Sequence, residues 1–550
     1  MTTGDWQAVT PLADLLVRAA DQAPERLALV LPDEQHSYGA LRTRAQETAR
    51  GLWALGVRPG AHVAVLAPNG PELVAAYFGI ATIGAVVVPL NTRHKASELA
   101  YIVDHAQCQV VLTTTRVDDH VDLSGVLAEA LPGMAAAPDP ARLALADAPR
   151  LDAVALLDGG AKPGCVDAAH LAALARTVAP EVVERARRGV RVRDVAVILY
   201  TSGTTAQPKG CMLTHEALTR GPVRRALGRF STSATPEVHW CPGPLFHVGA
   251  LSPFLGCVGA AGTVLTDVHF DAGRAIALMA EHGVTAAWPW FPPFTAAILD
   301  HPDFDPSRLR TLRHIGQIGP RRLFEQLRDA LPDAEPIKSS GMTETAGPFG
   351  LSTPAETFDE RVELQGTPID GVEVRVVDPE TGADLPRGVM GELLVRGYCV
   401  TEGYYRDPER TAAALDADRW LHTGDLYRQL PDDHLVFHGR LKDMLKVGGE
   451  NVAALEVEAF LCGHPDVAAA EVVGRPDDRL DEVPVAFVEL RPGARLEAED
   501  VIAFCRGAIA SYKVPRDVVF VAPGTWPMSA TKVDKRELRR RVEAQAAPSP

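Results

Sequence analysis

Residues 197–215 read VILYTSGTTAQPKGCMLTH. The apolar run Val197–Tyr200 is short, rich in β-branched residues and followed by turn residues, which is typical of a buried strand. The loop after it carries four hydroxyl side chains within the five positions 201–205, and a helix-like segment begins near Leu213. Backbone N–H groups and hydroxyls of such a loop, together with the charge of Lys209, suit a polyphosphate ligand.

The spacing of this loop differs from the common P-loop, GxxxxGK(S/T). Pro208 occupies the position of the second glycine, and Gly210 follows the lysine instead of preceding it. Taken alone, the loop is also compatible with a flexible Ser/Thr/Gly linker. The strand before it, the Pro-Lys-Gly end and the helix-like segment after it favour a ligand-binding loop.

The segment TSGTTAQPKG resembles the phosphate loop of the adenylate-forming superfamily, which includes acyl- and aryl-CoA synthetases, peptide-synthetase adenylation domains and firefly luciferase. Further matching segments follow in the order of the superfamily, so the resemblance covers nearly the whole chain. Within this superfamily, the motifs resemble those of actinobacterial fatty-acid and aryl-CoA ligase-like proteins. The further segments are KSSGMTET (338–345), WLHTGDL (420–426), HGRLKDMLKVGGEN (438–451) and WPMSATKVDKREL (526–538).

The resemblance implies which residues bind the nucleotide and which carry the reaction. The implied nucleotide-binding residues are Thr201, Ser202, Gly203, Thr204, Thr205, Lys209, Ser340, Gly341, Met342, Thr343, Asp425 and Arg440. The implied catalytic residues are Lys532, Glu344, Lys209 and Thr343. Glu344 is the implied magnesium ligand, since Mg²⁺ prefers few protein oxygens together with phosphate oxygens. Lys532 matches the lysine that contacts the incoming carboxylate and the α-phosphate.

The same resemblance predicts a two-domain enzyme with a moving C-terminal part. The expected domains are an AMP-binding domain at 1–438, a hinge at 439–442 and a mobile lid domain at 443–550. Lys442 occupies the hinge position. Lys446, Gly448 and Gly449 belong to the segment presented to the acyl-adenylate after rotation, where glycines let a pantetheine arm pass close to the backbone.

The acid-binding pocket is the least specific part of the pattern. Aromatic residues and a histidine among Pro and Gly in HWCPGPLFHVGA (239–250) predict a rigid wall instead of a regular element, and the resemblance places this segment at the acyl pocket. The segment VTAAWPWFPP (284–293) supplies further aromatic side chains. A hydrogen-bonded core histidine and ordinary core aromatics are the alternatives. The pocket candidates favour a compact acid, such as an aromatic one, over a long chain. They are His247, Gln317, Gly316, Thr345, Trp288 and Phe291.

Three departures from the superfamily pattern occur in these motifs. Ala206 stands where glycine is usual, and no glycine precedes Lys532. Ser340 replaces an aromatic residue that stacks on adenine, which removes a contact worth about 1 kcal/mol. These changes are expected to alter the geometry of the loops. None of them replaces a charged residue of the motifs.

The composition limits the remaining possibilities. A chain of 550 residues is too long for one hydrophobic core, so two or more domains are expected. The formal net charge of −16 argues against a nucleic-acid partner. The eight cysteines form no C-x-x-C pair, which favours reduced cysteines in a cytoplasmic protein. The apolar window 73–90 contains Gly79, Gly84 and Pro89, so a helix followed by a strand is expected there instead of a membrane span. The expected state is a monomer or homodimer.

Helix-like and strand-like segments alternate through the first 115 residues, with one helix expected at Ala96–His105, and this alternation is typical of an α/β fold with a largely parallel sheet. The segment 116–190 is expected to form surface helices and loops. Strand-like Val372–Asp378 and Gly391–Gly397 predict a small antiparallel subdomain. The pattern after residue 443 predicts a small mobile α+β domain, with a long helix at 498–509.

These features predict an ATP-dependent, AMP-forming ligase of secondary metabolism that adenylates a carboxylic acid, releases pyrophosphate and transfers the acyl group to CoA. One alternative keeps the nucleotide chemistry but uses an amine, a carrier protein, or nitrite in the diazotisation of an aryl amine. A second alternative is a non-catalytic nucleotide-binding homologue. A non-catalytic homologue is expected to lack at least one residue that the reaction needs. The residues of that kind are all present here, namely Lys209, Glu344, Asp425, Arg440 and Lys532.

Overall fold

The computed structural model describes residues 9–117, 121–201, 207–231, 236–447, 450–477, 480–529 and 532–546. The chain divides into two compact units. The first comprises Met1–Arg361, Pro368–Glu373 and Arg396–Arg419. The second comprises Val362–Thr367, Val374–Val395 and Trp420–Pro550. The domain boundaries at 438 and 443 and the hinge between them stay predictions.

Two largely parallel seven-stranded sheets form the frame of the first unit, in agreement with the predicted α/β class. The strands of one sheet, in spatial order, are Glu335–Ile337, His314–Gln317, Ala286–Trp290, Val238–Trp240, Thr263–Leu265, Leu27–Val30 and Gln35–Ser37. The strands of the other are Gly403–Tyr404, Lys209–Thr214, Val195–Thr201, Val86–Pro89, His62–Leu66, Cys108–Thr113 and Ala153–Leu156. The interior strands are almost wholly buried, as expected for a sheet covered by helices on both faces.

The helices begin at the signals that the sequence provides. Ser37 and Thr214 each cap a helix by accepting a hydrogen bond from the backbone N–H three residues later, and Pro71 occupies a first helical position. The helices before residue 420 are Leu12–Gln22, Tyr38–Ala54, Pro71–Thr82, Ala96–His105, Leu123–Ala130, Ala168–Arg176, Pro180–Gly189, His215–Arg225, Val248–Gly259, Ala272–Glu281, Pro292–Leu299, Arg321–Ala330, Phe358–Glu363 and Pro408–Ala414. No helix in the described part of the chain is long and apolar enough to cross a membrane.

Three local expectations from the sequence were wrong. The segment 116–190 contains the buried strand Ala153–Leu156, whose short Ala/Val run carries too little periodicity to identify it. The pocket segment 239–250 is regular at both ends, since it contributes to the strand Val238–Trp240 and to the helix Val248–Gly259. Residues 209–214 form a strand, so the helix after the loop begins only at His215.

The second unit contains a four-stranded antiparallel sheet, a five-stranded mixed sheet and the antiparallel pair of short strands Met528–Ser529 and Lys532–Val533. The four-stranded sheet consists of Val372–Val377, Met390–Gly397, Leu421–Gln429 and Leu435–Arg440, with residues 372, 373, 396 and 397 assigned to the first unit. The five-stranded sheet consists of Glu450–Ala453, Met444–Val447, Asp481–Leu490 and Val467–Asp477, and Asp517–Phe520 pairs in parallel with Asp481–Leu490. Its helices are Ala454–Cys462, Ala498–Cys505 and Lys535–Ala546. The helix at 498 is shorter than expected, ending at Cys505.

A buried histidine joins two helices of the first unit. His215 Nδ1 accepts a hydrogen bond from the Leu12 backbone N–H at 3.1 Å, and the residue is 1% exposed. Burial lowers the pKa of His215 to about 4, below the ordinary value of 6.5. The folded state therefore binds fewer protons than the unfolded chain between these two pH values, so its stability falls as the pH decreases through that window.

We expect acidification from pH 7 to pH 5 to remove about 2 kcal/mol of stability through His215 alone. In His215→Asn, the amide oxygen still accepts from Leu12 but does not titrate. Urea unfolding of the wild type and this variant at both pH values should show a smaller pH dependence in the variant. Exposed His170→Asn serves as the matched control, and an equal slope in all three proteins would contradict the assignment.

Candidate active site

The phosphate-loop motif connects two paired strands of the first unit. Val195–Thr201 and Lys209–Thr214 run antiparallel, with Thr201 opposite Lys209. This pairing fixes both ends of the loop. The Thr201 hydroxyl is buried and has no hydrogen-bond partner among the described residues. The predicted contacts Ser202, Gly203, Thr204 and Thr205, and the departure at Ala206, lie outside the described residues.

Lys209 meets Glu344 and Tyr404 at the end of this hairpin. Lys209 Nζ donates to Glu344 Oε1 at 2.9 Å and to the Tyr404 hydroxyl at 2.6 Å. The Tyr404 hydroxyl donates to the same Glu344 oxygen at 2.8 Å. Lys209 Nζ also lies 4.0 Å from the centre of the Tyr404 ring. The structure thus joins two predicted catalytic residues and adds a third residue that the sequence reasoning missed.

Burial strengthens this three-residue cluster. Glu344 and Tyr404 are each 6% exposed, so their polar contacts form away from bulk water. Burial and the neighbouring Glu344 carboxylate raise the pKa of Tyr404, which therefore remains a hydrogen-bond donor at neutral pH. Both contacts use Glu344 Oε1. Among the described residues, no hydrogen bond to Oε2 is present, which leaves that oxygen for a further ligand.

The hydroxyl of Tyr404 is expected to position both charged partners. Tyr404→Phe retains the ring beneath Lys209 and removes two hydrogen bonds. We expect kcat/KM for ATP to fall about tenfold, equivalent to ~1.4 kcal/mol for hydrogen bonds to charged groups. Steady-state pyrophosphate release measures this effect. Tyr405→Phe is the control, because its hydroxyl bonds to Gln107 instead; equal losses in both variants would contradict the role.

The predicted nucleotide residues 340–343 lie next to this cluster in sequence and structure. Ser340, Gly341 and Met342 belong to the strand Ser339–Met342, which pairs with Gly347–Leu351. Thr343 and Glu344 begin a short 3₁₀ turn directly after it. Ser340 is 4% exposed. The turn places the Glu344 carboxylate next to Lys209, so the motif at 338–345 contacts the end of the phosphate-loop motif.

The second unit brings together the other predicted charged residues. Asp425 and Arg440 occupy paired positions on neighbouring strands, with Arg440 Nε 3.5 Å from Asp425 Oδ1. Desolvation and the positive charge of Arg440 lower the pKa of Lys532, while Asp425 opposes this shift and Lys442 adds to it. Desolvation, again with Arg440, also lowers the pKa of Lys442. These four residues therefore form one electrostatic cluster.

His247 begins the helix Val248–Gly259 in the first unit and packs against Phe246, with ring centres 4.8 Å apart. Burial lowers the pKa of His247 to about 4, and the nearby Arg93 and His94 act in the same direction. The imidazole is consequently neutral at pH 7. A Cβ added to Gly249, in the first turn of this helix, would have no atom within 4 Å, so open space lies at that position.

Two tryptophans border this part of the first unit. The Trp290 indole N–H donates to the Gly249 carbonyl at 3.0 Å, and the Trp290 backbone adopts a left-handed φ of 53°. A Cβ on Gly316 would approach the Trp288 ring at 2.7 Å and the Trp290 ring at 3.2 Å. Glycine at 316 therefore permits both rings to pack against the strand. Trp290 belongs to the aromatic segment 284–293, which the sequence indicated either as ordinary core or as part of an acid-binding slot.

The other pocket candidates make contacts within the protein. Gln317 is 0% exposed, accepts a hydrogen bond from Thr295 and donates to the Ile318 carbonyl at 2.5 Å. Thr345 donates to the Gly347 carbonyl at 2.7 Å. Phe291 directly precedes the helix Pro292–Leu299, and its side chain makes no capping hydrogen bond within the described residues. If Gln317 contacted the substrate directly, it would have to give up its hydrogen bonds to Thr295 and Ile318. The pocket roles of Gln317, Thr345 and Phe291 stay predictions.

The predicted thioester segment is described only in part. Lys446 is exposed on the strand Met444–Val447, and its backbone N–H donates to Glu482 at 2.9 Å. Gly448 and Gly449 lie outside the described residues. The assignment of this segment to the second half-reaction stays a prediction.

Comparison with known proteins agrees with this geometry. Residues 16–405 match the AMP-binding enzyme family and residues 456–532 match the AMP-binding enzyme C-terminal domain. The chain therefore belongs to the AMP-binding enzyme family. The predictions of the adenylate-forming superfamily, of its α/β fold and of an AMP-forming ligase of the acyl-CoA synthetase type are confirmed.

Named relatives cover nearly the whole chain. The 3-[(3aS,4S,7aS)-7a-methyl-1,5-dioxo-octahydro-1H-inden-4-yl]propanoyl:CoA ligase of Mycobacterium tuberculosis is 35% identical over 542 residues, covering 97% of this chain and 99% of that protein. The 4-coumarate–CoA ligase 1 of Solanum tuberosum is 31% identical over 531 residues, covering 93% and 90%. The crystal structure of ATP-bound MatB from Rhodopseudomonas palustris matches with a TM-score of 0.82 and 27% identity, covering 97% of this chain and 100% of MatB.

Proposed function

We propose that this ligase uses magnesium-bound ATP to adenylate a ring-containing carboxylic acid and then transfers the acyl group to CoA. The observation that carries the proposal is the buried contact of Lys209, Glu344 and Tyr404 at the end of the hairpin that holds the phosphate-loop motif. A cation, a carboxylate and a hydroxyl donor converge there. This combination suits a triphosphate with its metal.

The residues present fit a magnesium ion. Mg²⁺ is bound in nucleotide sites through one or two carboxylates plus phosphate oxygens. No cluster of three or more acidic, histidine or cysteine ligands occurs among the described residues, so a site made only of protein groups is not indicated. Glu344 Oε2 would hold the ion, which would supply charge neutralisation to the triphosphate. Lys209, already the counter-ion of Glu344, stabilises this carboxylate without substrate.

The chain's own residues account for the proposed first half-reaction. A carboxylate oxygen of the acid attacks the α-phosphorus, the bond to the bridging oxygen breaks, and pyrophosphate leaves. Lys532 balances the negative charges that approach one another in this step. The side chain of Lys532 is exposed, and desolvation together with the positive charge of Arg440 lowers its pKa, so an anionic partner is expected to stabilise its charged form. Asp425 is proposed to accept hydrogen bonds from the ribose hydroxyls, and Arg440 to contact the ribose or phosphates.

In the second half-reaction, the thiol of CoA attacks the carbonyl of the acyl-adenylate and AMP leaves. We propose that the C-terminal segment pivots at Lys442 between the two steps and then presents Lys446, Gly448 and Gly449. The complete cycle forms a thioester, AMP and pyrophosphate. Lys532 is required only in the first step, which separates the two half-reactions experimentally.

Two features support a ring-containing acid as substrate. Trp290 donates to the carbonyl of Gly249, a residue whose Cβ position is open space, and the neighbouring neutral His247 adds no charge there at pH 7. Both curated relatives described above are CoA ligases for ring-containing acids. A flat aromatic or alicyclic acid fits between such surfaces better than a flexible chain, because ring stacking adds to apolar burial.

We also propose that the protein works in the reduced cytoplasm. All eight cysteines are free, and seven of them are buried. Burial raises the pKa of the thiols of Cys108, Cys211 and Cys241, which disfavours their reactive thiolates. These cysteines serve packing instead of a disulfide framework.

Pyrophosphate release with a panel of acids tests the proposed function. The panel contains short aliphatic, medium-chain, hydroxy- and aminobenzoic and cinnamic acids, each with and without CoA, and with nitrite as a separate co-substrate. We expect acid-dependent release and an acyl-CoA product, strongest for ring-containing acids. Release that requires nitrite, or that yields no thioester, would contradict the proposed acceptor.

A further inference from the structure

One arginine of the helix His215–Arg225 differs from its neighbours in its partners. Arg220 pairs with Glu216 at 2.8 Å, and Arg224 pairs with Asp370 at 2.7 Å. Arg225 Nη2 instead donates to the neutral Ser252 hydroxyl at 3.1 Å. Among the described residues, no carboxylate lies within ion-pair distance of Arg225. The positive charge of this side chain is therefore not balanced by an acidic group in the described structure.

The side chain of Arg225 is half-buried, and the groups around it are neutral. A Cβ placed on Gly221 would lie 2.9 Å from Arg225 Nη1 and 2.6 Å from the Tyr398 hydroxyl, so both groups crowd the same small space. Burial lowers the pKa of Arg225 from its ordinary value. Burial also raises the pKa of Tyr398 to about 12, so this phenol stays neutral at pH 7. In the described structure, a half-buried guanidinium among neutral groups keeps free donors that an anion can accept from with two hydrogen bonds.

The position of Arg225 points to the acid pocket. Its partner Ser252 lies on the helix Val248–Gly259, about 7.5 Å along the axis from His247 at 1.5 Å per residue. Val248 and Ser252 are four residues apart and share one helix face. Both face Gly347, since a Cβ there would lie 3.2 Å from Ser252 and 3.8 Å from Val248. Arg225 therefore contacts this helix at Ser252, one turn after Gly249, whose Cβ position is open space.

We propose that Arg225 binds a second carboxylate, carried by the substrate acid at the end remote from the carboxylate that is activated. This inference rests on the proposed function and narrows its substrate to a dicarboxylic, ring-containing acid. The planar guanidinium matches a carboxylate with two parallel hydrogen bonds, whereas Ser252 occupies only one of its donors. A phosphate of ATP is the other anion with matching chemistry, and the experiment distinguishes the two.

Matched pairs of mono- and dicarboxylic acids test the proposal. The pairs are hexanoate with adipate, and 3-phenylpropanoate with 3-(4-carboxyphenyl)propanoate. We expect wild-type kcat/KM for pyrophosphate release to favour the diacid in the aromatic pair. Arg225→Gln should lower that value for the diacid roughly 30-fold or more, as for a buried charge pair that loses one partner, and change the monoacid little. Arg225→Lys should retain part of the preference.

Two control variants and two further measurements separate a specificity role of Arg225 from a structural one. Arg224→Gln removes the neighbouring, carboxylate-paired arginine and should leave the diacid preference unchanged. Ser252→Ala removes the described partner but retains the guanidinium, so the preference should persist. Thermal unfolding of each variant identifies loss of folding, and KM for ATP should be unaltered in Arg225→Gln.

Calorimetric titration of the diacid into wild type and Arg225→Gln measures binding without turnover. It therefore tests this inference independently of the proposed function. Binding that depends on Arg225 supports the inference, even where no acid releases pyrophosphate and the proposed function fails. Equal turnover of mono- and diacids in wild type and Arg225→Gln overturns the inference and leaves the ligase function intact. A raised KM for ATP in Arg225→Gln, with no change in acid preference, assigns Arg225 to the nucleotide and also overturns it.

Discussion

Lys532→Ala is expected to raise the barrier to adenylation by at least about 3 kcal/mol, a rate loss of 10²–10³-fold. The Lys532 ammonium group is proposed to stabilise the negative charges of the carboxylate and the α-phosphate as they approach each other, and alanine carries no charge. Thioester formation from supplied acyl-adenylate and CoA should remain nearly intact. Pyrophosphate release and acyl-CoA formation, measured separately, give the two rates.

The pH profile provides a second readout of Lys532. Desolvation and the charge of Arg440 lower its pKa below the ordinary value of 10.5. Adenylation should therefore decline at a lower alkaline pH than an ordinary lysine would give, because deprotonation removes the charge. Lys513→Ala, in the same unit and paired with Glu456 at 2.6 Å, is the control. Equal losses of both half-reactions in Lys532→Ala would refute the assignment.

Glu344→Gln should cause the second largest loss, about 100-fold or more in pyrophosphate release. The amide keeps the size of the side chain but removes the charge that faces Lys209. It also removes the proposed magnesium ligand. The rate should depend on much higher magnesium concentrations than in the wild type, which a titration at saturating ATP measures.

Glu356→Gln is the matched control for this substitution. Glu356 is also buried, at 8% exposure, and accepts a hydrogen bond from the Thr353 backbone N–H at 2.7 Å. Its loss should reduce stability without changing the magnesium dependence of the rate. An identical magnesium titration for Glu344→Gln and wild type would remove Glu344 from the metal site.

The sequence predicted those elements whose signals are local. A β-branched run followed by small hydroxyl residues identified the strand that ends at Thr201 and the loop after it. Alternation of helix and strand patterns predicted the largely parallel sheets, and the helix at Ala96–His105 was correct to the residue. The charged groups Lys209 and Glu344 were found because each stands in a motif of its own.

Contacts between remote positions could not be predicted in the same way. Tyr404 is 195 residues from Lys209 in sequence, and only strand pairing brings Gly403–Tyr404 beside Lys209–Thr214. The Gly-Tyr-Tyr at 403–405 was a visible signal, but no local pattern specifies its partner. Arg225 is one of two adjacent arginines, and only tertiary packing shows that Arg224 has a carboxylate partner whereas Arg225 contacts a serine.

The pocket residues show a further limit of periodicity. Trp288 and Trp290 lie on the same side of one strand, yet Gly316 on the neighbouring strand decides how closely both rings approach. Gln317 looked available for substrate because it is polar, whereas its amide bonds to Thr295 and Ile318 inside the protein. A buried polar side chain must find partners, and local sequence does not show whether they are protein or ligand.

Transfer of oxygen from the acid to AMP tests the central claim most directly. The enzyme is supplied with an active acid labelled with ¹⁸O in its carboxylate, together with ATP, Mg²⁺ and CoA, and the nucleotide product is analysed by mass spectrometry. Attack of the carboxylate on the α-phosphorus predicts AMP that carries one ¹⁸O atom per turnover and an equal amount of acyl-CoA. Unlabelled AMP, or label found in phosphate beside ADP, would contradict an acyl-adenylate intermediate.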